Sequence, residues 1–87
     1  MTMLTVSTTA LMLAAAAPAL ATECTSAPAD KWMSQEQARK ILTGQGYDVR
    51  KMKVEDSCLE AYAMKDGRRL EVYLDPVSGK IVKIKEK

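Results

Sequence analysis

The Asp66-Gly67 dipeptide constrains the fold more than any other pair of residues in this chain. Asp-Gly between two alternating stretches is a strong signal for a type I′ β-hairpin, whose two central residues both need a positive φ. If Lys65 faces Arg68 across this turn, the register of both strands is set. The apolar residues then pair on one face: Ala63 with Leu70, Ala61 with Val72, and Leu59 with Leu74. A slip by one residue would mix the two faces, so we predict this register.

Strand-like segments on both sides extend the hairpin into a meander. Residues Tyr47 to Glu55 alternate, with a break near Lys51 that indicates a bulge. The turn formers Asp75-Pro76-Val77-Ser78-Gly79 precede a last strand. We expect that strand to keep its apolar residues inward by pairing Val72 with Val82 and Leu70 with Ile84. The same register sets Glu71 opposite Lys83 on the other face, a favourable charge pair.

A single helix is predicted over Gln35 to Thr43. Ser34 is a good N-cap, and Gln37 three residues later completes a capping box. A narrow apolar stripe follows at helical spacing, formed by Ala38, Ile41 and Leu42. Gly44 is expected to end the helix in a left-handed conformation. The predicted fold class is therefore α+β, with one helix packed on an antiparallel meander of three to four strands.

The segment from Met1 to Ala21 has no charged side chain, unlike the rest of the chain. Pro18 and the small-x-small run Ala19-Leu20-Ala21 follow its apolar centre, as in a secretory signal peptide. We predict cleavage between Ala21 and Thr22 and a periplasmic or secreted protein with no stable membrane insertion after signal removal. The leading region lacks Lys and Arg, which departs from the pattern. An uncleaved anchor is the alternative, since a span needs about 20 apolar residues.

The remaining chain is divided into two parts by composition. Residues 22–33 are rich in Ala, Ser, Thr and Pro and predict an extended arm, and residues 34–87 form the folded domain. Cys24 in the arm and Cys58 in the domain are the two cysteines of the chain. In an exported protein such a pair is normally oxidised, so we predict a disulfide. A redox or metal thiol pair is the alternative, but it lacks a C-x-x-C motif and any histidine.

The predicted hairpin register also fixes where Cys58 points. It places Cys58 on the face away from the helix, opposite Asp75. A bridge to Cys24 therefore requires the arm to wrap round the sheet edge, or the register to break at Cys58.

Charge and composition argue against several classes of function. The chain carries 13 basic and 11 acidic residues and no histidine, so it lacks the usual general base and the commonest metal ligand. This mixed surface gives no steering toward nucleic acid. Alternation brings no two carboxylates together in an apolar pocket, considering Glu55, Asp56, Glu60, Glu71 and Asp75. We therefore predict no enzyme, no cofactor, and no catalytic or metal site.

A candidate partner-binding face lies on the side of the sheet away from the helix. Its predicted members are Tyr62, Met64, Tyr73 and Ile81, ringed by charges from Glu60, Arg69, Glu71, Lys83 and Lys85. Aromatic and methionine side chains among charges are typical of recognition surfaces. An ordinary solvated face is the alternative. A peptide could also add to the last strand's edge, although its lysines equally suit protection against aggregation.

Several short motifs, in order and spacing, resemble the PepSY family over residues 24–84. They are Trp32 with Ser34, Gly46-Tyr47-Asp48-Val49, Cys58-Leu59-Glu60, Asp66-Gly67, and the run from Glu71 to Val82. The chain looks most like the short stand-alone branch with two cysteines. The resemblance implies an exported non-catalytic module that binds or inhibits a peptidase in the cell envelope. A small periplasmic ligand-binding or sensing module is the alternative.

Overall fold

The computed structural model describes residues 23–87 as one helix packed on a four-stranded antiparallel sheet. The elements are a 3₁₀ turn (Ala29–Lys31), α1 (Gln35–Gly44), β1 (Asp48–Glu55), β2 (Cys58–Lys65), β3 (Arg68–Leu74) and β4 (Ile81–Glu86). The strand order β1-β2-β3-β4 is a meander, so the predicted α+β fold is confirmed. The predicted signal segment, with its cleavage between Ala21 and Thr22, lies outside the described residues and stays a prediction.

The helix begins as the sequence predicts and ends one residue later. Ser34 Oγ accepts a hydrogen bond from the Gln37 backbone N–H at 3.0 Å. Gly44 remains helical, and Gly46 takes the left-handed conformation instead, with φ 94°. The N–H of Tyr47 then reaches back to the carbonyl of Leu42 at 3.1 Å, which satisfies one of the helix's last acceptors.

The central hairpin has the predicted register. Asp66 and Gly67 both have positive φ, at 52° and 76°, as a type I′ turn requires. The pairs across β2 and β3 include Lys65 with Arg68, Ala63 with Leu70, Ala61 with Val72, and Leu59 with Leu74. The bulge predicted near Lys51 is also present, because the β1–β2 register shifts between Val49 and Lys51.

The predicted register of the last strand is wrong by two residues. Val72 faces Ile84, and Glu71 faces Lys85. One residue of this shift arises in the turn before β4. There the Asp75 N–H donates to the Lys80 carbonyl at 2.9 Å, so Leu74 pairs with Ile81. The second comes from a bulge that leaves Val82 as an extra residue in β4.

The core lies between α1 and the β1–β2 half of the sheet, on the side that we call the inner face. Ala38 and Leu42 from the helix are completely buried. They meet the alternating apolar residues of the strands, namely Tyr47, Val49, Leu59, Ala61, Ala63, Val72 and Leu74. The helix packs on β1 and β2, and the β4 side chains Val82 and Ile84 stay 46% and 48% exposed.

The N-terminal arm runs from the sheet face opposite α1 to the inner face, on which α1 packs. Cys24 and Cys58 form the predicted disulfide, with their Cα atoms 5.0 Å apart. Cys58 keeps its pairing with Glu55, so the register does not break there. The chain instead passes round the end of the sheet, where the Met33 N–H donates to the Pro76 carbonyl at 2.8 Å. Trp32 fixes the middle of this path by donating from Nε1 to the Ala27 carbonyl at 3.0 Å.

Candidate functional site: the outer face of the sheet

The outer face is the side of the sheet opposite α1, and strand alternation determines its members. Its centre is formed by Glu60, Tyr62 and Met64 from β2 and by Arg69, Glu71 and Tyr73 from β3. Lysines from both edges flank this centre: Lys51, Lys53, Lys83, Lys85 and Lys87. The result is a polar and aromatic strip between two rows of positive charge.

Three of the four residues predicted for a partner-binding face lie on this surface. Tyr62 and Met64 alternate along β2, and Tyr73 lies opposite Glu60 on β3. The predicted position of Ile81 is wrong. It faces the buried Leu74 and packs against the core on the inner face, because the turn before β4 is longer than the sequence suggested.

A carboxyl at the centre of the outer face is almost completely enclosed. Glu60 is only 1% exposed, although no helix covers this side of the sheet in the described structure. Lys53 Nζ lies 3.6 Å from its Oε1. Glu71 is its diagonal neighbour across the hairpin, and Tyr73 Oη donates to Glu71 Oε1 at 3.0 Å. The two carboxyls and the phenol thus form one hydrogen-bonded cluster.

Burial and the hydrogen bond between Glu60 and Glu71 shift the pKa values of the two carboxyls in opposite directions. Burial raises the pKa of Glu60, and the hydrogen bond to Glu71 raises it further. The same bond from Glu60 lowers the pKa of Glu71. The pair therefore favours one proton on Glu60 and a negative charge on Glu71. Burial also raises the pKa of Tyr73, and Glu71 adds to this effect, which keeps the phenol neutral and able to donate.

This carboxyl pair was missed at the level of sequence, where alternation was expected to bring no two acids together in an apolar pocket. The predicted hairpin register already contained the signal, because Glu60 opposite Tyr73 and Tyr62 opposite Glu71 make the two acids diagonal neighbours on one face. A general acid or base must reach a substrate proton. Glu60 is enclosed, so the arrangement serves to hold the face together and to fix Tyr73.

The tyrosine rings of the outer face lie under lysine side chains. Lys87 Nζ is 4.8 Å and Lys53 Nζ is 5.5 Å from the centre of the Tyr62 ring. Lys83 Nζ is 5.6 Å from the Tyr73 ring. A hydrogen bond with Tyr62 raises the pKa of Lys53, and the nearby Glu60 carboxyl adds to this effect. The rings and the ammonium groups therefore form one amphipathic surface.

An open cleft of about 360 Å³ adjoins Tyr62 at the hairpin end of this face. Met64 lies beside the ring, and the basic side chains Arg50, Arg69 and Lys87 surround both. No acidic residue lines the cleft within the described part of the chain. Its chemistry suits a group that is partly apolar and carries negative charge.

Two other features concern metal binding and membrane insertion. Within residues 23–87, no three His, Cys, Asp or Glu side chains come together as a group that could hold a metal ion. None of the helices in that same range has the length and apolar character needed to span a bilayer.

Comparison with known proteins agrees with the resemblance seen in the motifs. The family model of the peptidase propeptide and YPEB domain matches residues 5–85. No curated protein and no solved structure gave a significant match. PepSY domains are generally non-catalytic, take part in protein interactions and are typically extracellular. Since the match spans nearly all of its length, this chain belongs to the PepSY family of peptidase propeptide and YPEB domains.

Proposed function

We propose that this chain is an exported, non-catalytic PepSY module that binds a peptidase in the cell envelope through the outer face of its sheet and inhibits it. The observation that carries the proposal is the construction of that face. Glu60 is 1% exposed there, with Lys53 Nζ 3.6 Å from its carboxyl and a hydrogen bond to Glu71. A surface with such a fixed polar centre is preorganised for recognition.

The side chains around this centre are of the kinds that bind proteins. Tyr62, Met64 and Tyr73 supply apolar and aromatic contact area, and their lysine neighbours supply charge at the rim. Aromatic residues and methionine are enriched in protein interfaces. The family supports the choice of a peptidase as partner, since its members are generally propeptide-like or inhibitor-like.

Export is supported by two features. The uncharged segment from Met1 to Ala21 has the pattern of a signal peptide. The Cys24–Cys58 disulfide suits an oxidising compartment.

Capture from periplasmic extract tests the proposal. The immobilised protein should retain a peptidase and lower its activity when the two are mixed. The variant with Tyr62→Ala and Met64→Ala should lose most of this capture, because the apolar centre of the face is gone. Val77→Ala is the matched control, since Val77 is 48% exposed in the β3–β4 turn. Capture of no peptidase, or equal capture by both variants, would contradict the proposal.

The open cleft beside Tyr62 favours a second candidate, a small ligand-binding or sensing module of the periplasm. Three basic side chains and no acidic one line the cleft in the described structure, as an anionic small molecule would require. An NMR titration of the labelled protein with anionic periplasmic metabolites distinguishes the two. Saturable shifts at Tyr62 and Arg69 would support the second candidate, and their absence would remove it.

A further inference from the structure

The two edges of the sheet differ in how open they are to another strand. On β1, the helix lies over the strand, Arg50 forms a bulge, and Arg39 Nη1 donates to the Val49 carbonyl at 2.9 Å. On β4, the bulge at Val82 comes at the start, and the rest of the strand is regular. Bulges and covering elements are the usual means of blocking an edge. Among residues 23–87, the β1 edge is therefore obstructed, and the β4 edge is open along most of its length.

The backbone of β4 offers hydrogen-bonding groups on its free side. The Lys87 N–H donates to the Arg69 carbonyl at 3.0 Å, so residue 87 points its backbone groups toward β3. Adjacent residues of an antiparallel strand point their N–H and C=O groups in opposite directions. Ile84 and Glu86 therefore direct their backbone groups away from the sheet.

The two faces of β4 carry different side chains, and this difference determines which kind of strand could pair with its free edge. Lys83, Lys85 and Lys87 project on the outer face. On the inner face, Ile84 is 48% exposed because α1 packs on β1 and β2. The open edge is thus basic on its outer face, and on its inner face it presents Ile84 followed by Glu86, which lies opposite Leu70.

We infer that β4 is a docking edge for an extended segment of a partner protein in which acidic residues alternate with apolar residues. The inference rests on the proposed function, since it assumes a protein partner. Added as a fifth strand, such a segment would place carboxylates beside Lys83 and Lys85 and an apolar side chain beside Ile84, because strand side chains alternate between faces. Its backbone would pair with the free groups of Ile84 and Glu86.

Charge complementarity selects this occupant over a second copy of the chain. Two β4 strands side by side would bring the rows formed by Lys83, Lys85 and Lys87 together, and like charges on neighbouring strands are destabilising. The same lysines that discourage self-association favour an acidic strand. The lysines of β4 therefore select which strand can pair with this edge, besides preventing self-association.

Amide hydrogen exchange of the full chain, with its disulfide formed, tests the inference. The probe is a short synthetic peptide of alternating Glu and Val. We expect the amides of Ile84 and Glu86 to gain protection by about tenfold or more at saturation, since the exchange rate follows the open fraction. The amides of β1 should not change. A Lys-Val peptide, and the Glu-Val peptide N-methylated at alternate residues, should give no such protection.

A charge-reversed variant tests the partner chemistry. Lys83→Glu with Lys85→Glu should weaken binding of the Glu-Val peptide by about fivefold or more and admit the Lys-Val peptide. Lys31→Glu with Lys40→Glu is the matched control, because it makes the same change of net charge on the arm and helix. Equal affinities for the two variants, or shifts confined to Tyr62 with unprotected β4 amides, would overturn the inference. Capture of a peptidase that depends on Tyr62 and Met64 would still support the proposed function in that case.

Discussion

Leu59 and Glu60 are consecutive residues of β2, point to opposite faces of the sheet, and are equally buried at 1% exposure. Leu59 is buried in the apolar core on the inner face, which α1 covers in part. Glu60 lies on the outer face, where its hydrogen bond to Glu71 and the nearby Lys53 replace the lost water. The comparison teaches that one face is held by apolar packing and the other by hydrogen bonding and charge. The second kind of face leaves its rim free for a partner.

The largest expected effect comes from the disulfide that ties the arm to the outer face. Replacing Cys24 and Cys58 by Ser should lower the free energy of unfolding by about 3–4 kcal/mol, because the bond closes a long loop in the unfolded chain. Urea unfolding of the variant and of the reduced wild type measures the loss, and the two should agree. A loss below about 1 kcal/mol would show that the arm adds little to stability.

The inner face should respond as an apolar core. Leu42→Ala should lower the free energy of unfolding by about 3 kcal/mol, because it removes a fully buried side chain and leaves a cavity. Thr43→Ala, on the exposed side of the same helix, is the control and should stay within about 0.5 kcal/mol of the wild type. Similar losses for both would mean that α1 does not pack as described.

The two carboxyls of the outer face should respond unequally to the same chemical change. Glu71→Gln should lower the free energy of unfolding by about 2 kcal/mol, since the acceptor of the Tyr73 hydrogen bond loses its charge. Glu60→Gln keeps a donor for Glu71 and removes a buried ionisable group, so it should be neutral or stabilising. Equal losses from the two variants would contradict the shared proton.

The smallest expected effect is a pH dependence that belongs to Glu60. Its pKa is raised in the folded state, so its contribution to stability is present below about pH 4.3 and is lost as the pH rises through the folded pKa. The pKa of Glu71 is lowered in the folded state, so its contribution to stability is present above about pH 4.3 and is lost as the pH falls through the folded pKa. Unfolding at several pH values should show Glu60→Gln gaining stability relative to the wild type as the pH rises from about 4.3. A difference that stays constant with pH would contradict this assignment.

Local sequence signals predicted the central hairpin and the helix start well. Asp66-Gly67 determines its own turn, and the alternation on both sides fixes the register, so the six inner-face partners could be named in advance. Ser34 and Gln37 likewise act within one helical turn. The cysteine pairing followed from the expected compartment and was confirmed.

The errors arose in the β3–β4 turn and at Glu60, where alternation along a single strand does not decide the outcome. Asp75 Oδ1 accepts from the Val77 N–H at 2.8 Å, and the turn that it organises takes one residue more than the sequence suggested. That residue moved Ile81 to the inner face, and the Val82 bulge then shifted the rest of β4 by one more residue. The burial of Glu60 depends on neighbours from three strands, and alternation within one strand does not report it.

The central claim is that the outer face contacts a peptidase, and site-specific photo-cross-linking in living cells tests it most directly. A photoreactive phenylalanine analogue replaces Tyr62 on the outer face or, as the matched position, Val54, which is 51% exposed on the inner face. We predict that the probe at position 62 forms a covalent adduct with an envelope peptidase and that the probe at position 54 does not. Adducts at position 54 alone, or no peptidase adduct at position 62, would contradict the claim.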